Sequence, residues 1–299
     1  MSNHNPGIFP GLKMSEYLAV KAFSAGLGQR ILAQSPLHAW TESPWNPAQD
    51  RDDSGIADIG TYAHAMLLEG GHAALCVVEA DDWRTKAAKE ARDSARAAGL
   101  LPILAHKVGE VEQMVKTAKD YLETTELAGL FAHHGDAETT LIWDKNGMLC
   151  KARPDWLATD RKVSLSYKTT AGSAQPDAWI RTQLPGYDMG IVFYEQGIRT
   201  ACKVESTRVV TLVQEQKIPY SCSLIGLAPA WQAMAESKLA RAMMIWSRCL
   251  QDGKFPAYPT RIAWAEPKPW MMAEAEERDI QDIGEHGIEY TPEQLWGKP

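Results

Sequence analysis

The sequence predicts an α+β fold in which helices flank a central mixed sheet. Helical periodicity dominates roughly the first 126 residues, and the pattern then changes to the alternation of apolar and polar residues that is typical of strands. A helix, two further strands and a long helix follow. Helices and strands that come in separate runs, rather than in strict alternation, indicate one α+β domain.

Length and composition are those of an ordinary soluble globular protein, with 299 residues, 45% of them hydrophobic and 23% charged. The net charge of −7 argues against a protein that coats DNA, but it is compatible with a local basic channel. Five cysteines without a CxxC pair predict free thiols in a reducing cytoplasm and no zinc site. No apolar run approaches about 18 residues, so we expect no membrane segment.

The N-terminal part of the chain is predicted to be mainly helical. Residues 1–13 are rich in glycine, proline and asparagine, which predicts a loose N-terminus. The single domain is expected to span residues 14–270, and the acidic segment 271–299 to form a peripheral tail. Helical patterns occupy residues 14–33, 60–71, 83–98 and 107–126, with a long polar loop after Ser35-Pro36.

The central segment predicts three strands in meander order, with a KNG turn between the first two. A helix, two more strands and a long helix complete the predicted domain. The predicted strands are 138–144, 148–158, 162–170, 203–216 and 220–228, and the helices between and after them are 177–196 and 229–251.

The strand KVSLSYKTT places Ser166 and Lys168 two residues apart, so their side chains share a face. Asp155 ends the preceding strand, and neighbouring strands lie about 4.8 Å apart, so Asp155 and Lys168 can converge on one point. Glu138 can reach the same point if its strand pairs alongside. Two carboxylates and a lysine suit metal-assisted hydrolysis of a phosphodiester. The same spacing also occurs without function, with Asp155 capping a turn and Lys168 reaching into solvent.

Several segments together resemble the exonuclease VIII (RecE-type) branch of the PD-(D/E)xK nuclease superfamily: SPLHAW, GTYAHAMLLEG, CKARPDWL, SYKTT and YDMGIVFYEQG. The similarity runs from about residue 14 to about residue 270. It implies a restriction-endonuclease-like core and an exodeoxyribonuclease that uses Mg²⁺ or Mn²⁺ to degrade one strand of linear duplex DNA from its 5′ end. It also implies a ring-shaped homo-oligomer, a single-strand annealing protein as partner, and phage-type recombination or repair in the cytoplasm of a bacterial host.

The resemblance assigns a role to each matching residue. His64, Glu138 and Asp155 match metal-holding positions, Lys168 matches the catalytic lysine, and Tyr194 matches the tyrosine of the motif Q-x-x-x-Y. Without the resemblance, His64 is better explained as a core histidine, Tyr194 is explained at least as well as a core aromatic residue, and Glu138 is explained equally well as a strand-edge residue.

DNA contacts are expected from two further groups. Thr169 and Thr170 match the K-T-T ending of the family motif, and their hydroxyls can contact a phosphate. Basic residues cluster around the central hairpin and predict a positively lined channel, in which Lys151 and Arg153 are candidate DNA contacts.

The sequence departs from the family pattern at two positions. Ser166 replaces the aspartate or glutamate that is the second metal carboxylate, and Gly190 replaces a glutamine. A hydroxyl is a weak substitute for a charge that faces a dication, and such a loss normally lowers metal-dependent catalysis by several powers of ten. Three interpretations stay open: a nuclease with a metal held by His64, Glu138 and Asp155, a pseudonuclease that binds DNA ends or a recombination partner, and an unrelated α+β protein.

Overall fold

A computed structural model describes residues 5–48, 59–69, 71, 75–132 and 135–286. The chain divides into two compact units, one that ends at Ala257 and one that begins at Tyr258. All the strands among the described residues lie in the first unit, which has an α+β architecture. The predicted fold class is therefore confirmed.

The elements are numbered in chain order. The helices are α1 (Met14–Ala19), α2 (Ala25–Ala33), α3 (Pro36–Thr41), α4 (Ile59–His64), α5 (Lys86–Ala97), α6 (Ala105–Glu123), α7 (Pro176–Thr182), α8 (Asp188–Cys202), α9 (Pro229–Asp252) and α10 (Pro269–His286). The strands are β1 (Gly7–Phe9), β2 (Leu75–Val78), β3 (Leu101–Leu104), β4 (Gly135–Ala137), β5 (Thr140–Lys145), β6 (Met148–Ala152), β7 (Trp156–Ala158), β8 (Val163–Thr170), β9 (Arg208–Glu215) and β10 (Cys222–Ile225). A π turn (Ala65–Glu69) extends α4.

The main sheet is mixed and has five strands in the order β10-β9-β8-β7-β4, in which β8 and β9 are parallel and the other neighbours are antiparallel. Alternation along β8 sends Leu165 and Tyr167 into a core with α4 and α6. Ser166 and Lys168 occupy the other face, where Val209 and Val213 of β9 pack in a core with α2, α8 and α9. Two smaller sheets are β1-β5-β6 and the parallel pair β2-β3.

The chain crosses between sheets at two neighbouring places. Glu138 lies between β4 of the main sheet and β5 of the three-stranded sheet, and residues 153–155 lie between β6 and β7 in the opposite direction. The backbone N–H of Glu138 donates to the carbonyl of Asp155 at 3.2 Å and joins the two crossings. The predicted three-stranded meander is therefore wrong. The second predicted strand is interrupted at Pro154, which lacks a backbone N–H donor, and its two parts, β6 and β7, belong to different sheets.

The N-terminal region differs from the prediction in two respects. Residues 7–9 form β1, which pairs with β5, where a loose segment was expected. The predicted helix 14–33 is two helices, because Phe23 leaves the helical path to bond β6: its N–H donates to the Leu149 carbonyl at 2.7 Å, and its carbonyl accepts from the Lys151 N–H at 2.8 Å. Ser24 then caps α2 by accepting from the Leu27 N–H.

Other differences concern short strands and the C-terminus. The four-residue strands β2 and β3 escaped prediction because runs as short as LCVV and LPIL have no distinctive period. The first unit ends at Ala257 rather than near 270, and α10 begins before the expected tail. No helix among the described residues is long and apolar enough to cross a lipid bilayer.

Gly60 sets the close approach of α4 to β8. A Cβ atom at this position would overlap the hydroxyl of Thr169. We expect Gly60→Ala to lower the free energy of unfolding by about 1–3 kcal/mol, measured by urea denaturation, because α4 must move away from the sheet. Gly109→Ala in α6 is the matched control, since a Cβ there meets open space and favours the helix. Equal stability of the two variants would contradict the close approach.

Candidate active site

Asp155 and Lys168 form the centre of the site, as the strand geometry predicts. The Lys168 ammonium lies 3.0 Å from Oδ2 of Asp155. The same oxygen accepts from the Tyr167 backbone N–H at 2.8 Å and from the Ser166 hydroxyl at 3.1 Å. Among the described residues, these three groups and the His64 ring all contact Asp155 through Oδ2.

His64 faces this centre from the end of α4. Its Nε2 lies 3.7 Å from Oδ2 of Asp155 and 3.7 Å from Oε1 of Glu138. The other ring nitrogen, Nδ1, donates to Oε1 of Glu69 at 2.9 Å. The ring also stacks on Tyr167, with centroids 6.1 Å apart. Glu69 thus orients the imidazole through Nδ1, and Nε2 faces the carboxylates of Glu138 and Asp155.

Glu138 is held in place from behind. Its Oε2 accepts from Nε of Arg153 at 2.6 Å, and Nη1 of the same guanidinium donates to the Leu12 carbonyl at 2.6 Å. The backbone of Glu138 adopts a left-handed φ of 51°. Such a conformation is uncommon outside glycine and costs on the order of 1–3 kcal/mol, and it is found preferentially at functional sites.

The electrostatic environment of the cluster favours the charged forms of Asp155 and His64, but not that of Glu138. Burial alone would raise the pKa of Asp155, but the charge of Lys168 and the interaction with His64 hold that pKa well below its ordinary value. Burial would lower the pKa of His64, but hydrogen bonds and charges from Asp155, Glu69 and Glu138 raise it to about 9. Burial raises the pKa of Glu138 against the opposing hydrogen bond from Arg153. An imidazolium therefore lies between two acids near neutral pH.

Two cavities flank Lys168, one on each face of the main sheet. The first, of about 580 Å³, is on the α4 side and is lined by His64, Glu69 and Thr169. The second, of about 210 Å³, is on the α8 side and is lined by Ser166, Gly190 and Tyr194. Both positions that depart from the family pattern therefore border one space.

The family of the chain follows from a match over most of its length. The family model described as a PDDEXK-like domain of unknown function (DUF3799) matches residues 31–265, which is more than half of the chain. The chain belongs to this family. A restriction-endonuclease-like core, which the sequence predicts through its resemblance, is thus confirmed for a DUF3799 protein.

Solved structures support the fold of this DUF3799 protein. A provisionally assigned exonuclease from Eubacterium rectale aligns with 88% of this chain and 98% of its own chain, with a TM-score of 0.51 and 11% identity. At that identity the likeness shows a shared fold alone. The protein SSO0001 aligns with 57% of this chain and 79% of its own, with 13% identity and a TM-score of 0.27, which is too low to carry an argument. No curated protein matches the chain.

The DUF3799 chain brings together four of the residues that the sequence singles out, namely His64, Glu138, Asp155 and Lys168. Tyr194 borders the smaller cavity instead, and burial raises its pKa well above the ordinary value, so its phenol is neutral.

The two threonines have partners of their own. The hydroxyl of Thr169 accepts from Nε2 of Gln216 at 3.0 Å, and that of Thr170 accepts from the Gly172 N–H at 3.0 Å. Their contacts with phosphate stay a prediction.

Two residues that were expected to contact DNA have structural roles instead. Lys151 is only 4% exposed, and its ammonium donates to the carbonyls of Tyr17, Leu18 and Val20 at the end of α1, so it does not line a channel. Arg153 is directed at Glu138 and positions that carboxylate. Sequence patterns show that a side chain is basic, but they do not show that distant carbonyls surround it.

Glu69 is the site residue that sequence reasoning missed. In a regular α-helix a residue five positions after His64 points to a different side. The π turn at residues 65–69 widens the helix, so residues i and i+5 come onto one side. The segment HAMLLE carries no recognisable signal for a π turn, and the proximity of the two side chains is visible only in three dimensions.

The donor set fits a hard divalent cation. Nε2 of His64 lies 3.7 Å from Oε1 of Glu138 and 3.7 Å from Oδ2 of Asp155, and carboxylate oxygens are the ligands that suit Mg²⁺ or Mn²⁺. His64, Glu69 and Glu138 also place one ligand atom each within 4.8 Å of one another. The hydrogen bond from Nδ1 to Glu69 is the arrangement that orients a metal-binding histidine. Nucleases of the PD-(D/E)xK superfamily generally use divalent metal ions.

The raised pKa of His64 predicts how stability depends on pH in the absence of metal. Because the folded pKa of about 9 exceeds the unfolded value of about 6.5, the stabilisation is complete below pH 6.5 and is lost as the pH rises through 9. We expect the melting temperature in EDTA to fall between pH 6.5 and 9.5, and His64→Gln to flatten that fall. Parallel curves for the two proteins would contradict the assigned pKa.

Proposed function

We propose that this protein is a metal-dependent nuclease that hydrolyses phosphodiester bonds of linear duplex DNA, of the exonuclease VIII type with 5′ to 3′ polarity. The observation that carries the proposal is that, in a PD-(D/E)xK fold, Nε2 of His64 lies 3.7 Å from both Glu138 and Asp155 and the Lys168 ammonium lies 3.0 Å from Asp155. The exonuclease assignment of the structural neighbour supports the same activity. The biological setting of the proposal is phage-type recombination or repair in a bacterial cytoplasm, with a ring-shaped oligomer and an annealing partner.

The chain supplies three functions to such a reaction. His64, Glu138 and Asp155 would hold Mg²⁺ or Mn²⁺, which when bound supplies a Lewis acid and lowers the pKa of bound water. Lys168 keeps Asp155 ionised and presents a cation to the phosphate as negative charge develops on it. Arg153 and Glu69 fix the orientations of Glu138 and His64.

A second candidate function is a pseudonuclease that binds DNA ends or a recombination partner without cutting. The observation that favours it is Ser166, whose hydroxyl donates to Asp155 and adds no negative charge to the site. The Lys168 ammonium and the charged imidazole of His64 already balance Asp155 in the absence of a metal.

Cleavage of end-labelled linear duplex DNA tests the proposal. We expect nucleotides to be released only from free ends and only with Mg²⁺ or Mn²⁺, and a 5′ label to be released before a 3′ label. Covalently closed circular duplex is the control substrate. DNA binding without cleavage with either cation would instead establish the pseudonuclease, and neither binding nor cleavage would refute both functions.

A further inference from the structure

The cavity on the α8 side of Lys168 is open because small residues surround it. It has a volume of about 210 Å³, and its walls come from α2, the first turns of α8, and strands β8 and β9. The small wall residues are Ala25, Gly26, Gly186 and Gly190. A Cβ atom on Gly190 would lie 3.7 Å from that of Ala25, at ordinary van der Waals distance, so a longer side chain could extend into the space.

The chemistry of the walls suits a flat aromatic ligand with polar edges. Apolar and aromatic side chains form most of the lining, including Tyr187, Met189 and Tyr194. Besides the Lys168 side chain, the polar groups are few and include the amide of Gln29 and the hydroxyls of Ser166 and Thr211. Sites for small ligands combine an apolar lining with a few polar groups in this way, and nucleobases bind proteins by stacking on aromatic rings.

Tyr187 is prepared for such stacking. Its ring lies on that of Trp179, with centroids 5.6 Å apart and an angle of 15° between the planes. Tyr187 is nevertheless 41% exposed, so part of its surface remains accessible. A ring that is fixed from one side loses little entropy when it stacks on a ligand.

We propose that this cavity receives an unstacked nucleobase from the DNA strand whose phosphate lies at Lys168. Lys168 lines this cavity as well as the larger one on the α4 side, so a nucleotide at the reacting phosphate can place its base here. The inference rests on the proposed nuclease function. It adds to that function a subsite that exists because Ser166 and Gly190 are small.

Binding of single-stranded oligonucleotides in EDTA, scanned with one abasic residue at each position, tests the subsite. We expect one abasic position near the 5′ end to weaken binding about tenfold or more. Gly190→Met fills the cavity and should abolish this difference, whereas Gly190→Ala adds one methyl group and should retain most of it. Both substitutions favour the helix, and thermal melting verifies that each variant folds.

The outcomes separate the subsite from the nuclease function. Equal binding of all abasic oligonucleotides, or an undiminished difference in Gly190→Met, overturns the subsite, and Mg²⁺-dependent cleavage then still supports the nuclease. A position-dependent difference that disappears in Gly190→Met supports the subsite, even if the protein does not cleave DNA. Absence of any oligonucleotide binding overturns the subsite, and the assay with linear duplex DNA then decides the nuclease function separately.

Discussion

Ser166→Asp is expected to increase Mg²⁺-dependent cleavage of linear duplex DNA by about 100-fold or more. The hydroxyl of Ser166 lies 3.1 Å from Oδ2 of Asp155, so an aspartate at this position adds a carboxylate beside the predicted cation site. One additional charge facing a dication stabilises the charged transition state by several kcal/mol, and each 1.4 kcal/mol is about a tenfold change in rate. The initial rate of nucleotide release at saturating Mg²⁺ measures the effect.

When metal is absent, the same substitution is expected to destabilise the protein. Two carboxylates in contact repel each other, so we expect Ser166→Asp to lower the melting temperature in EDTA and Mg²⁺ to restore it. Ser166→Asn is the matched control, because it has a similar size and no charge. An equal rate for the aspartate and asparagine variants would show that the lost charge does not limit the site.

Lys168→Met is expected to lower cleavage by about 10²–10³-fold, the cost of removing one group that stabilises developing charge. The ammonium lies 3.0 Å from Asp155 and is a major cause of the low pKa of that carboxyl, so its removal also raises the pKa of Asp155. Methionine keeps the length and the apolar part of the side chain. Single-turnover cleavage measures the rate, and binding in EDTA verifies that DNA is still held.

Lys162→Met provides the control for general loss of positive charge, because Lys162 is exposed at the start of the same strand region, outside both cavities. Electrostatic attraction of DNA should weaken similarly in the two variants. If both reduce cleavage to the same extent, Lys168 acts through overall charge and not at the reacting phosphate.

The central residues were predictable because strand geometry is local. Ser166 and Lys168 share a face of β8 by alternation, and Asp155 is brought alongside by the next strand pair, β7 with β8. The position of Glu138 was less accessible to prediction. It depends on the chain leaving one sheet for another and on a left-handed backbone, and neither leaves a periodic pattern in the sequence.

The remaining parts of the site depend on contacts between distant segments. The sequence predicts that Lys151 is a surface cation. In the structure its ammonium is instead surrounded by backbone carbonyls of residues that lie more than 130 positions earlier in the chain. Glu69 joins His64 only because a π turn replaces the regular helix. Ser166 and Gly190 are remote in sequence, and their shared cavity follows from the packing of α8 on the main sheet.

A Mn²⁺-soaked crystal, examined by anomalous scattering, tests the central claim most directly. The account predicts one anomalous peak bounded by Nε2 of His64, Oε1 of Glu138 and the carboxylate of Asp155, and its loss in His64→Gln. Saturating Mn²⁺ that leaves this point empty, or that binds only elsewhere, would contradict the assignment of the site.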